Sequence, residues 1–232
     1  MPRGRSRGRG RSNPTAVPVA SSGPIPIPIP VVCYETAYDG VADKYTCSDA
    51  QPKGLTGDFT YACEVYIEAS QPNTVSGIYG DGGNADGAQM IYVSPNILFG
   101  GNYMGTNASK AISTGAWQTL VCVNDKTGAN ARTVYVEGSA GTSQTTALKV
   151  AGSIFMVAEH ETSPNRFLNG KIRNIEIYDV AVPTPTAWVP GTTTSMGNAG
   201  GDLLAQSADG GTTWETGQSV TTFGDPVRQL CT

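Results

Sequence analysis

The sequence is short of the residues from which most catalytic and metal centres are built. It has one histidine, His160, in AEHETSPN, and a lone loop histidine reads as a bystander rather than a base. No phosphate-cradling glycine loop and no Cys/His zinc spacing occurs. Charged residues make up only 15%. No stretch sustains a 3.6-residue apolar period, and no apolar run is long enough to cross a bilayer as a helix. The five cysteines leave at least one unpaired. Cys63 and Cys122 fall within apolar runs and read as small buried hydrophobes. Cys33, Cys47 and Cys231 flank the body, where a disulfide could close a terminus. An odd count with no apolar signal segment after the first arginines fits a chain made in a reducing cytosol.

Acidic residues are absent from residues 1–30, which hold five arginines in MPRGRSRGRGRSNP: Arg3, Arg5, Arg7, Arg9 and Arg11. The net charge of the whole chain is nevertheless −4, so an acidic body carries a basic arm. Arginine supplies a fixed charge and a planar fork matched to phosphate oxygens, and the intervening glycines leave the backbone free to follow an irregular strand. These five residues are the candidate nucleic-acid contact, made through phosphates without reading sequence. A solubilising or localising terminus is the blander use of the same composition.

Residues 14–32 follow as a strap, with PIPIPIP at 24–30. Seven of the 15 prolines fall in the first thirty residues. Alternating Pro-Ile disfavours helix and favours a stiff polyproline conformation rising about 3 Å per residue. Isoleucines at every second position are too apolar for a solvated linker, so the strap is expected to lie in a groove, on a neighbouring subunit or on its own body.

From Val31 onward, glycine is abundant (29 in the chain). Short alternating or β-branched runs are separated by Gly, Asn, Asp and Ser: 59–69, 76–80, 89–94, 96–101, 117–125, 132–138, 148–159 and 171–180. This pattern predicts an all-β sandwich or jelly roll. Trp117 heads a strand, Asp125-Lys126-Thr127-Gly128 makes a turn, and Val134-Tyr135-Val136 pairs back, closed by Gly138. Strict alternation over KIRNIEIYDV places Ile172, Asn174, Glu176 and Tyr178 on one face, with Arg173, Ile175, Ile177 and Asp179 on the other.

The order TGDFTYACEVYIEA, GAWQTLVCVNDKTGANARTVYVEG, NRFLNGKIRNIEIYDVAV resembles the laminin-G-like, concanavalin A-like lectin jelly roll over roughly residues 55–182. The resemblance implies a concanavalin A-like sandwich spanning 33–182, with the Arg-rich tail (1–13) and the strap extending from it. It fixes function loosely, because such domains bind glycans, bind proteins, hydrolyse glucans or decorate larger proteins.

In glucanases of this fold, paired carboxylates on one strand work as nucleophile and acid/base. Here Glu64 and Glu68 share a face with Tyr66 between them, opposite an apolar face of Tyr61, Cys63, Val65 and Ile67. Retaining hydrolysis needs carboxyl groups about 5 Å apart, whereas residues i and i+4 of a strand lie roughly 13 Å apart, so no enzyme is expected. In IYGDGGNADGAQ, Asp81, Asn84 and Asp86 are candidate calcium ligands, as relatives hold calcium at the sandwich rim; a hairpin turn accounts for the same residues. Tyr79, Tyr92, Asn102 and Tyr103 are the candidate glycan platform, rings for stacking and an amide for hydrogen bonds. After a Pro/Gly/Thr-rich connector that begins at residue 183, LLAQSADGGTTWETG resembles the Asp-box, Ser-x-Asp-x-Gly-x-x-Trp, at Ser207, Asp209, Gly211 and Trp214. That resemblance implies a structural hairpin over 202–223.

Two functional classes compete. A virion structural protein, capsid-associated or a penton or spike component, accounts for both ends of the chain. Its arm would face nucleic acid or the shell, its strap would run between subunits of a homo-oligomer, and its jelly roll would face outward to a glycan or host receptor. Such a chain would be made in the host cytoplasm and reside in the virion. The alternative is a glycan-binding or adhesive lectin-like protein outside a virion.

Overall fold

The structure, a computed structural model, describes residues 33–47, 58–82, 89–93, 97–101, 108–125, 132–144, 154–159, 166–181, 188, 203–214 and 219–231. The described residues form fifteen strands and no helix. In chain order these are β1 (Tyr34–Asp39), β2 (Lys44–Cys47), β3 (Phe59–Ile67), β4 (Val75–Gly82), β5 (Gln89–Val93), β6 (Ile97–Gly101), β7 (Ala108–Ala111), β8 (Trp117–Asn124), β9 (Arg132–Val136), β10 (Ser139–Gln144), β11 (Ile154–Val157), β12 (Asn169–Tyr178), β13 (Leu203–Ser207), β14 (Val220–Phe223) and β15 (Val227–Leu230). One sheet runs β10-β9-β8-β3-β12-β1-β15, with β13 also paired to β12; the second runs β14-β2-β11-β4-β5-β6-β7. All pairings are antiparallel, as expected of the predicted jelly-roll sandwich.

Period-two alternation builds the core between the sheets. β3 turns Phe59, Tyr61, Cys63, Val65 and Ile67 inward, and β8 adds Leu120 and Cys122. Tyr61 stacks on Tyr79 of the opposite sheet with ring centroids 3.9 Å apart. Each such side chain contributes about 1.5–3 kcal/mol by leaving water. The predicted β8–β9 hairpin forms, Cys122 opposite Val134. Glu137 and Gly138, both at positive φ (50° and 70°), then turn the chain into β10.

Strict alternation fails in β12. Arg173 pairs with Glu64, but Glu176 pairs with Ala62, so the register shifts between them. Asn174 is the bulged residue, at φ 51°, a left-handed conformation that asparagine tolerates better than most residues. The bulge puts Ile172, Ile175 and Ile177 all in the core, whereas Glu176 and Tyr178 move to the outer face beside Arg173. The face assignment expected beyond Arg173 is thereby reversed.

The expected 202–223 hairpin is corrected as well. β13 pairs with β12 in one sheet and β14 with β2 in the other, so the two strands serve opposite layers. β15 then pairs with β1. The compact unit runs from Val32 to Thr232, and β13, β14 and β15 are all strands of its two sheets. Cys33 and Cys231 form a disulfide with Cα atoms 5.4 Å apart, and the Cys231 N–H donates to the Cys33 carbonyl. Cys47, Cys63 and Cys122 are free and buried.

The Asp-box residues make the corner between the sheets. Ser207 Oγ accepts from the Gly211 N–H at 2.7 Å, and Asp209 Oδ1 accepts from the Thr213 N–H at 2.8 Å. Asp209 Oδ2 accepts from Arg228 Nε at 2.7 Å, and Trp214 packs into the core. The corner lies where β12 passes from β1 to β13: the Asn174 N–H donates to the Ala208 carbonyl, and a side chain at Gly210 would overlap the Ile172 carbonyl oxygen.

Candidate functional site

The outer face of the larger sheet has two unlike halves. Toward the ends of β3, β8 and β12 that lie beyond the bulge it is apolar: Ala62, Val121, Val123 and Tyr178 form a second cluster under Trp188. The Trp188 indole N–H and the Tyr178 hydroxyl both donate to Glu176 Oε2, at 2.6 and 2.8 Å. This half is closed.

The other half is polar and aromatic, and register alone arranges it in rows. One row of six residues crosses five strands as Gln229, Glu35, Arg173, Glu64 and Thr119 and ends, in the turn after β9, at Glu137. With strands about 4.8 Å apart, it extends roughly 24 Å. The next row holds Val227, Ala37, Lys171, Tyr66 and Trp117.

Side chains tie these rows together. Arg173 is bidentate on Glu64, Nε to Oε2 at 2.8 Å and Nη2 to Oε1 at 3.2 Å, and Asn174 Nδ2 donates to the same Oε2 at 2.5 Å. Glu35 is buried and accepts from Lys171 Nζ (2.9 Å) and Gln229 Nε2 (2.7 Å), both on Oε1; its Oε2 takes no donor. Glu137 Oε1 accepts from the Thr119 N–H. The Arg173 guanidinium lies 4.1 Å from the Trp117 ring centroid, Tyr66 meets Trp117 edge-on at 6.0 Å, and Lys171 lies 5.7 Å from the Tyr66 centroid. Trp117 and Tyr66 remain partly exposed. The arrangement offers oriented ring surface beside oriented donors and acceptors, the combination that holds a polyhydroxylated ligand.

Two of the four residues expected to form a glycan platform cannot do so. Tyr79 and Tyr92 are 1% and 2% exposed, because the strands carrying them turn those positions into the core; their rings cannot stack on a ligand. Asn102, Tyr103, Asn84, Asp86, His160 and the five arm arginines lie outside the described residues. Asp81 is placed by its backbone alone, in β4 opposite Phe155. Among the described residues, no group of three or more His, Cys, Asp or Glu side chains could hold a metal ion. Glu64 and Glu68 do not come together as a catalytic pair, and Glu64 has both oxygens committed to Arg173 and Asn174. Burial pushes the Cys63 and Cys122 thiols up to about 12, which removes them as nucleophiles.

This polar and aromatic face is not legible in the sequence because its residues come from six separate segments. The alternation of Glu64, Tyr66 and Glu68 was its one visible signal.

Comparison with known proteins agrees with this architecture. The sequence model of the concanavalin A-like lectin/glucanases superfamily matches residues 39–186. Among curated proteins no sequence matches. Among solved structures, the chain is similar to a putative carbohydrate binding protein from Bacteroides ovatus, with a TM-score of 0.62 at 12% identity over 86% of this chain. It spans 60% of the length of that protein. It is also similar to the native heptameric SAP-like pentraxin from Limulus polyphemus, TM-score 0.58, 12% identity, 87% of this chain and 97% of that one. Domains LG4-5 of the mouse laminin alpha1 chain align with a TM-score of 0.50 at 13% identity, over 83% of this chain and 46% of that one. At such identities these likenesses concern the fold.

Proposed function

The chain belongs to the concanavalin A-like lectin/glucanases superfamily, and we propose that within it this protein is a non-catalytic glycan-binding module whose contact surface is the open half of the larger sheet's outer face. The observation that carries this reading is the Trp117–Tyr66 pair, partly exposed and fixed beside the ion-paired row of Glu35, Arg173 and Glu64. Non-catalytic binding is favoured by the engagement of Glu64 with Arg173, which leaves no carboxylate on β3 free to attack an anomeric carbon or share a proton. The similarity to a Bacteroides ovatus protein described as putatively carbohydrate binding supports the same direction. Calcium at Asp81, Asn84 and Asp86 would form a separate site, on the smaller sheet's β4–β5 connection.

The test is a glycan array probed with the full chain. Binding to a defined set of glycans that is lost in Trp117→Ala supports the proposal. Binding that survives that change, or none across the array, contradicts it.

The arginine arm favours a second reading: a virion structural protein, with the arm toward nucleic acid or the shell and the lectin-like face outward. This reading rests on residues 1–32, which lie outside the described residues. A pentraxin relative described as heptameric makes a homo-oligomer a reasonable companion expectation. Electron microscopy of the purified protein, or detection of the chain in purified particles, separates the two.

A further inference from the structure

We infer that the ligand of this face is an uncharged glycan chain laid across the strands, an inference that rests on the glycan-binding reading above and assigns its ligand class. Charge comes first. Among the described residues of the open half, the two cations are Lys171 and Arg173, and each is held in an ion pair, with Glu35 and with Glu64. Glu137 adds a third carboxylate. No described cation of that half is left to receive a sulfate or carboxylate, and the surplus charge of the described residues there is negative, so an anionic sugar meets repulsion.

Hydrogen-bond chemistry agrees. Hydroxyls both donate and accept, and they need no counter-ion. The face supplies an acceptor at Glu137, donors at Arg173, Lys171 and Gln229, and a hydroxyl at Thr119 that does both.

The direction follows from the rows. Donors and acceptors succeed one another from Gln229 to Glu137 at right angles to the strands, while Trp117 and Tyr66 sit next to each other in the adjoining row. A chain of several sugar rings running across β12, β3 and β8 meets both rows. A ligand running along one strand meets the closed apolar half under Trp188. The carboxylates are already engaged by cationic or backbone donors, so the contact needs no bridging metal ion.

Calorimetry on the full chain tests this with neutral hexasaccharides (cello-, laminari-, malto- and mannohexaose) and with anionic probes (a heparin-derived hexasaccharide and sialyllactose). Titrations run from about 50 to about 500 mM NaCl, with and without chelator, because exposed charge contacts are screened over that range. The expected result is binding of at least one neutral hexasaccharide, with an affinity that changes less than about twofold with salt and not at all with chelator. Trp117→Ala should weaken it at least tenfold and Trp117→Phe, which keeps a ring in place, by less. Preferential, salt-sensitive binding of the heparin fragment or of sialyllactose would overturn the ligand class and leave glycan binding standing. Failure of every probe would count against both, and neutral binding indifferent to either Trp117 variant would overturn the face.

Discussion

Arg173 and Trp117 touch across a strand that separates them: β12 and β8 both pair with β3, and the Arg173 guanidinium reaches over it to lie 4.1 Å from the Trp117 ring centroid. The same guanidinium is bidentate on Glu64 of the strand between. One side chain therefore fixes an indole and a carboxylate at once.

Replacing Arg173 should accordingly cost both stability and ligand affinity. Arg173→Ala leaves Glu64, whose side chain is 15% exposed, with Asn174 alone, and should destabilise by about 1–3 kcal/mol in denaturant unfolding. Arg173→Lys should recover only part of this, because an ammonium cannot reproduce the bidentate fork. Full recovery by lysine would mean that net charge, not geometry, is what matters there.

The Asp-box corner should be a second point of sensitivity. Asp209 is buried and accepts from Thr213, Ser207 and Arg228. Asp209→Ala leaves these donors unsatisfied and should cost about 2–4 kcal/mol. Arg228 is 40% exposed, so Arg228→Ala should cost less than about 1 kcal/mol. Equal losses for the two would show that the ion pair, rather than the backbone contact, secures the corner.

Thiol chemistry should divide the cysteines cleanly. The native chain should not react with a thiol reagent at neutral pH, because Cys47, Cys63 and Cys122 are buried. Denaturation without reductant should release three thiols and denaturation with reductant five, since Cys33 and Cys231 are bridged. Five without reductant would refute the disulfide.

Alkali should destabilise the fold. Burial pushes Cys63 and Cys122 up to about 12 and raises the Tyr38, Tyr61 and Tyr178 phenols above their usual range. The native state thus holds protons that the unfolded chain releases from about pH 8.5 for thiols and about 10 for phenols. Stability should be level below that onset and fall as pH rises through it. Melting temperatures unchanged up to pH 11 would contradict the burial of these groups.

The arm is tested separately. Residues 1–13 should bind nucleic acid without sequence preference, with a log-log salt slope of up to about −4 from five arginines releasing counterions. A chain lacking 1–13 that binds DNA or RNA equally well at low salt would refute this.

The sandwich was legible in sequence where β-branched and aromatic residues alternate cleanly, as in β3, β8 and β9. It was illegible where strands are short or carry buried polar side chains. β1 reads YETAYD, yet Glu35 and Thr36 are both buried, one beneath Lys171 and the other against the Asp-box corner. β14 and β15 have four residues each, too few for alternation to show. Asn174 was misassigned because a bulge answers to its neighbours, here Ala208 and Glu64, rather than to any local pattern. Tyr79 and Tyr92 flank a glycine-rich stretch in the sequence, and only the pairing of β4 and β5 shows which way they point. The proposed contact face gathers residues from six segments, and no spacing along the chain records that.

The most direct measurement follows the three tryptophan indole N–H signals by NMR as a neutral hexasaccharide is added to the full chain. Trp188 and Trp214 are 7% and 6% exposed, one closing the apolar half and the other in the core, so of the three only Trp117 stands on the proposed contact face. The Trp117 signal, assigned through Trp117→Phe, should shift in proportion to ligand bound while the other two hold still. A ligand that binds without moving Trp117 would place the site elsewhere and refute the proposed contact face.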